Sequence, residues 1–273
     1  MDLDRTLALL ALDPAHPVDV ALVALHLARD EYPDLDIPAY VSQFEAYADA
    51  IAPRLSGSLA LRAATFTHFL FVEEGFRGNH DDYYDPRNSY LNEVLDRKRG
   101  LPITLAILAA AIGERAGLTV QGLALPGHFM AIVAEEDEAI IFDPFHAGRT
   151  LDIEEAERVV ATAIGQPFTL TSNDLRAAEP GTIVTRMLNN LKGVYLKQGE
   201  FRRAARVIRR LLQLRPNDPL QHRDLGVSLI QCQEPGPAID HLHFYLEHAP
   251  AAIDAGTVSD VLKQAKTEVA KWN

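Results

Sequence analysis

Three residues of the chain have side chains suited to acyl transfer or hydrolysis: Thr104, His128 and Asp143. His128 opens the run "HFMAIVAEEDEAIIFDP", in which apolar residues flank the acidic stretch 135–138. If that stretch turns an antiparallel hairpin, Ala134 pairs with Ala139 and Met130 falls opposite Asp143. His128 then lies diagonal to the carboxylate on the same face. A carboxylate so placed could accept the imidazole Nδ1–H, fix the tautomer and leave Nε2 as a base. The same spacing suits a His–Asp pair that merely satisfies two polar groups at a sheet end.

Thr104 lies in "RKRGLPITLAIL", residues 97–108, where Gly100 breaks the preceding segment and Pro102 fits the first turn of a helix. A helix N-terminus carries partial positive charge and free N–H groups, a setting that activates nucleophiles. A threonine hydroxyl, however, is far less acidic than a thiol, and its usual helper as a nucleophile is the amine of a chain N-terminus. The expected role of Thr104 is a hydrogen bond within the first helical turn. Ser89 reads as the cap of a short helix.

Other clusters are weaker. His80, Asp81, Asp82 and Asp85 read as a solvated polar loop rather than a cation site. His146 could join His128 and Asp143 as a metal ligand set, but no metal or cofactor is expected. His241, His243 and His248 read as helix-surface positions.

Positioning these residues takes two kinds of element. Residues 1 to about 75 show apolar spacing of three to four, as in "PVDVALVALHLARDEYP", and read as helices. The segment 102–116 is apolar nearly all round and reads as a core helix. "LTVQGLALP" and "GHFMAIVAEEDEAIIFDP" read as strands of an antiparallel sheet, and "DIEEAERVVATAIG" as a helix capped by Asp152. Polar turn residues and Pro180-Gly181 mark a boundary, giving domains 1–178 and 179–273.

Beyond the boundary the chain repeats itself. Leu191, Glu200, Ala204, Ile208, Leu212 and Pro216 recur 34 residues later as Leu225, Glu234, Ala238, Leu242, Leu246 and Pro250. That period is the tetratricopeptide spacing, in which helical hairpins bury their apolar faces by stacking. The segment 257–272 reads as a closing helix.

Composition narrows the function classes. The net charge of −12 argues against nucleic acid as the default partner. Residues 186–215 nevertheless hold nine Lys/Arg against one acid, a net +8 that leaves −20 elsewhere. Arg202, Arg206, Arg209 and Arg210 recur on one face of that stretch, suited to carboxylate contacts on a protein or peptide partner, or on the chain's own acidic part. No apolar run reaches the roughly 18 residues of a membrane span. The acidic start "MDLDRTLALLALDP" is unlike a secretory signal, and Cys232, the lone cysteine, precludes an intrachain disulfide. The expected setting is cytoplasmic.

The stretch "YYDPRNSYLNEVLDRKRGLPITLAILAAAIGERAGLTVQGLALPGHFMAIV", followed by "FDP" and the repeats, resembles the bacterial SirB family. The resemblance runs from about residue 40 to the last repeat. It implies an α+β papain/transglutaminase-like core, with helices packed on an antiparallel sheet, followed by an all-α tetratricopeptide-like domain. Active transglutaminase-like enzymes carry a Cys at the helix start; His128 and Asp143 match the other two positions of that triad. The Cys position maps to 102–104, where no Cys stands, and Cys232 lies in a repeat helix. The expectation is a non-catalytic binding or regulatory protein with a degenerate transglutaminase-like domain. The alternative is a hydrolase or acyltransferase in which Thr104 replaces the thiol. The family's association with gene regulation would be indirect here, since no DNA-reading element is present.

Overall fold

The computed structural model describes residues 1–136 and 138–271 and divides into two compact units. Met1 and Pro14–Met187 form the first; Asp2–Asp13 and Leu188–Asn273 form the second. Four helices open the chain: α1 (Leu3–Leu12), α2 (Val20–Ala28), α3 (Ile37–Ile51) and α4 (Leu59–His68), the last running into a π-helical turn, Phe69–Glu73. Asp2, Asp19, Asp36 and Ser58 cap them, each side chain accepting a backbone N–H from the first turn.

A two-residue strand, β1 (Arg77–Gly78), a 3-10 turn (Pro86–Ser89), α5 (Leu91–Arg97) and β2 (Arg99–Gly100) follow. Here the structure corrects the sequence reading twice. The polar stretch is not simply a solvated loop: β1 pairs in parallel with β2, and Asn79, Asp85, Asn88 and Ser89 are buried. Asp85 is held by Arg87 and Arg97 at 2.8 and 3.1 Å, so its carboxylate is already neutralised. Nor does Ser89 cap α5. Tyr90 holds that position, and the buried Ser89 hydroxyl has no hydrogen-bond partner among the described residues.

The core helix α6 (Pro102–Arg115) is buried almost throughout. It packs on a four-stranded antiparallel sheet in the order β3 (Val120–Leu123), β4 (Met130–Glu135), β5 (Glu138–Asp143), β6 (Arg149–Leu151). Ala134 stands opposite Ala139 and Ala131 opposite Phe142. Along β4 every second side chain, Met130 and Ile132, joins Leu123, Ile141 and Leu151 in a core closed by Ala156 and Val160 of α7 (Ile153–Ile164). The intervening Ala131 and Val133 are buried as well, so the sheet is covered on both faces. Asp152 and Glu155 form a reciprocal capping box that starts α7.

α8 (Pro180–Gln198) begins in the first unit and continues into the second, where α9 (Phe201–Leu214) packs on α10 (Pro219–Gln231), α10 on α11 (Pro235–His248) and α11 on α12 (Ala255–Ala270). Trp272, the end of the expected closing helix, lies outside the described residues. Ala204, Ile208, Leu225, Ala238 and Leu242, all repeat positions, are buried. The absence of a side chain at Gly226 lets α10 approach α11: a Cβ there would lie 2.6 Å from Leu242 Cδ2. Within this unit α1 packs on α9. Among the described residues no helix is long and apolar enough to cross a membrane.

Candidate functional site

His128 ends a tight turn. Pro126 and Gly127 fill its centre, Gly127 has φ +67°, and the His128 N–H donates to the Leu125 carbonyl at 3.3 Å. Positive φ after proline is the signature of a type II turn, which is why glycine stands there. Arg186 of α8 holds this turn. It donates from Nη1 to the Leu125 carbonyl and from Nη2 to the His128 carbonyl, each at 2.7 Å, and its guanidinium lies 5.4 Å from the centre of the Phe129 ring. Burial lowers the Arg186 pKa. Two carbonyls and an aromatic face compensate for the lost water.

Asp143 ends β5 and is the hub. Its Oδ1 accepts the N–H of Phe145 at 2.9 Å and of His146 at 3.3 Å, an Asx-type turn that folds the chain back at once. Its Oδ2 is shared by two imidazoles, His128 Nε2 at 2.8 Å and His146 Nδ1 at 2.7 Å. Burial pushes this carboxyl upward, since its side chain is only 1% exposed. The hydrogen bonds and charge of His128 and His146 outweigh that effect and hold it below its ordinary value.

The arrangement corrects one expectation. His128 turns Nε2, not Nδ1, to the carboxylate. The nitrogen left for other work is therefore Nδ1 on His128 and Nε2 on His146. The His128 side chain is 10% exposed and that of His146 50%, so the pair opens outward through His146. An open cleft of about 450 Å³ runs past both, lined also by Arg149, Leu151, Glu155 and Arg158. Arg149 is paired with Glu155, and Arg158 with Glu154 at 3.6 Å. His80 stands behind His146, with 5.4 Å between ring centres.

Thr104 is bonded to backbone alone. It is fully buried, its hydroxyl accepts the Leu101 N–H at 2.9 Å, and it donates to the Asn88 carbonyl at 2.8 Å, with the Leu101 carbonyl 3.2 Å away. His128 and Asp143 are bonded to each other, whereas the Thr104 hydroxyl is bonded to backbone. Next to it, the Asn79 N–H donates to the Gly100 carbonyl at 3.1 Å and the Gly78 N–H to the Phe145 carbonyl at 3.3 Å.

The arginines of α9 differ among themselves. Arg202 and Arg209 are exposed and Arg206 is half-buried. Arg210 pairs with Asp4 of α1 at 2.6 Å, and hydrogen bonds from Gln213 and Arg210 hold that carboxyl below its ordinary value. His241 is half-buried rather than a plain surface residue: its Nδ1 meets His222 Nδ1 at 2.9 Å, and His222 and His248 each stack on Phe244.

Sequence reasoning missed Arg186, which it counted with the basic face, and the part played by His146 as second donor to Asp143. An arginine 58 residues from the carbonyl it binds leaves no local signal. The His146 contact was legible in principle, because Asx turns bring the residue three positions on back to the carboxylate.

A transglutaminase-like superfamily model matches residues 38–189, and a tetratricopeptide repeat model matches residues 191–263. The UPF0162 protein of Xylella fastidiosa (strain Temecula1) is 36% identical over 250 residues, which span 90% of this chain and 89% of that one. A UPF0162 protein of Vibrio cholerae is 28% identical over 190 residues, 69% and 70% of the two chains. Protein SirB1 of Salmonella typhimurium is 26% identical over 181 residues, 66% and 67%. Among solved structures, the menin crystal structure that reveals the binding site for the Mixed Lineage Leukemia (MLL) protein covers 89% of this chain and 69% of its own. At 11% identity and a TM-score of 0.39, that likeness carries no inference. The fold is that of a transglutaminase-like domain followed by tetratricopeptide repeats. The chain belongs to the SirB family of such proteins.

Proposed function

We propose that this protein binds and regulates rather than catalyses acyl transfer: its repeats engage a protein partner, and its transglutaminase-like domain is degenerate. The observation that carries the reading is the state of Thr104. A nucleophile must expose its oxygen to substrate and hand its proton to a base within reach. The Thr104 hydroxyl is fully buried and its proton is directed at a backbone carbonyl. His128 directs its Nε2 to Asp143, and Cys232 is at the end of α10. The alternative of a Thr104, His128 and Asp143 triad draws support only from the family pattern.

Tetratricopeptide repeats generally bind proteins, and the exposed Arg202 and Arg209 make an acidic partner segment the best chemical match. Arg206 and Arg210 belong to the same proposed face, although Arg210 also answers Asp4. We assign the binding function to residues 179–273 and the degenerate domain to 1–178. A cytoplasmic setting is part of the same reading, supported by the lone cysteine.

The test is affinity capture on the tagged full chain, followed by mass spectrometry, comparing wild type with Arg202→Glu/Arg209→Glu. Capture of a specific partner that falls in the variant supports the reading. Equal capture by both removes the arginine face from it.

A further inference from the structure

The geometry points to a divalent transition-metal site formed by His128, Asp143 and His146. One ligand atom from each of the three residues lies within 4.8 Å of the others, and Asp143 Oδ2 meets His128 Nε2 at 2.8 Å and His146 Nδ1 at 2.7 Å. Two imidazoles and one carboxylate suit ions of the zinc class, whereas calcium and magnesium call for oxygen donors throughout. Three protein ligands leave at least one position to water or to a ligand group. The half-exposed His146 and the adjoining cleft give that position access to solvent.

The donors are held in place by their surroundings, as metal ligands are. Asp143 cannot swing, because Oδ1 accepts two backbone N–H groups. His128 is fixed from behind by the bond from Arg186 to its carbonyl. His146 is set by the Asx turn, in which Ala147 adopts φ +58° and the Gly148 N–H closes on the Asp143 carbonyl at 2.9 Å. Arg149, the cation nearest in sequence to His146, is paired with Glu155.

Without an ion, Oδ2 accepts hydrogen bonds from both rings. With one bound, the His128 proton on Nε2 moves to Nδ1 and the His146 proton on Nδ1 moves to Nε2, exchanging through solvent. Each ring then presents a lone pair to the ion. Ligand atoms around an ion with bonds of about 2.1 Å sit roughly 3.4 Å apart in a tetrahedron. The 2.7 Å contact must therefore open by some tenths of an ångström through rotation of the exposed His146 ring, and the 2.8 Å contact through a small turn of the His128 ring, whose backbone alone is held by Arg186. This inference does not depend on the repeats binding a partner, and its test leaves that reading untouched.

The experiment is calorimetric titration of Zn²⁺ into the chelator-stripped full chain, with Co²⁺ absorption as a second readout of the donor set. The expected result is one ion per chain and visible Co²⁺ bands characteristic of nitrogen and oxygen ligands. His128→Ala and His146→Ala should each weaken binding at least about tenfold. His222→Ala, in the second repeat, should leave it unchanged. His146 is half-exposed, so His146→Ala is expected to fold, which a thermal melt checks. The inference is overturned if wild type takes up no stoichiometric ion, or if folded His146→Ala binds as tightly as wild type.

Discussion

Arg186 donates to the carbonyl oxygen of His128 at 2.7 Å while reaching the Leu125 carbonyl with its other nitrogen at the same distance. A cation on α8 thus fixes both ends of the turn that presents the histidine. Arg186→Ala should take its donor from the His128 carbonyl and leave the Leu125 carbonyl with the His128 N–H alone, at a cost of about 1–3 kcal/mol of stability. Hydrogen exchange at residues 125–129 should quicken, by more than in the rest of the sheet. Unchanged protection there would mean that Pro126 and Gly127 hold the turn unaided.

Thr104 offers a test of structure against chemistry. Thr104→Ser keeps the hydroxyl and should change stability little. Thr104→Val keeps the shape but removes the hydroxyl that the Leu101 N–H and the Asn88 carbonyl share, leaving only the 3.3 Å bond between those two groups, at a cost of about 0.5–1.5 kcal/mol. Denaturant titration of the two variants distinguishes them, and equal midpoints would contradict the capping role.

Asp143→Asn removes the charge that two imidazoles and two backbone N–H groups address. The amide nitrogen or oxygen can face Oδ2's former partners, but neither arrangement carries charge-assisted bonds. A loss of about 2–4 kcal/mol is expected at neutral pH, read as a lowered denaturant midpoint. His146→Ala, which removes one exposed donor, should cost clearly less.

The repeats should be acid-sensitive through His241. Burial and the neighbouring His222 hold its pKa below the ordinary imidazole value of about 6.5, with Arg209 acting in the same direction and Asp240 opposing. The unfolded chain then binds the proton first as pH falls. The contribution of His241 to stability is complete above about pH 6.5 and is lost below it. Denaturation at pH 7.5 and 5.5 should show a drop in wild type that His241→Gln reduces, whereas equal drops would exclude this residue as the cause.

Much of this architecture could be read from spacing. The 34-residue repeat, the capping aspartate at 152 and the core helix from Pro102 all rest on local patterns, and each appears where local physics puts it. The approach of His128 to Asp143 follows from the hairpin register, with Ala134 opposite Ala139. What spacing could not carry was ring orientation, because a diagonal pair permits either nitrogen to face the carboxylate. It also missed the burial of Asn79 and Asn88. Polar residues look like a loop until the chain pairs them: here Asn79 Nδ2 donates to Asn88 Oδ1 at 2.9 Å, beneath a parallel strand pair that joins residues 22 apart in sequence.

The central claim is that the domain retains a histidine and a carboxylate without a nucleophile for them to activate. Intact-mass spectrometry of the full chain after exposure to a fluorophosphonate tests it most directly, with His128→Ala measured alongside. The account predicts no adduct whose yield depends on His128. A stoichiometric adduct mapped to Thr104 and abolished in His128→Ala would contradict it.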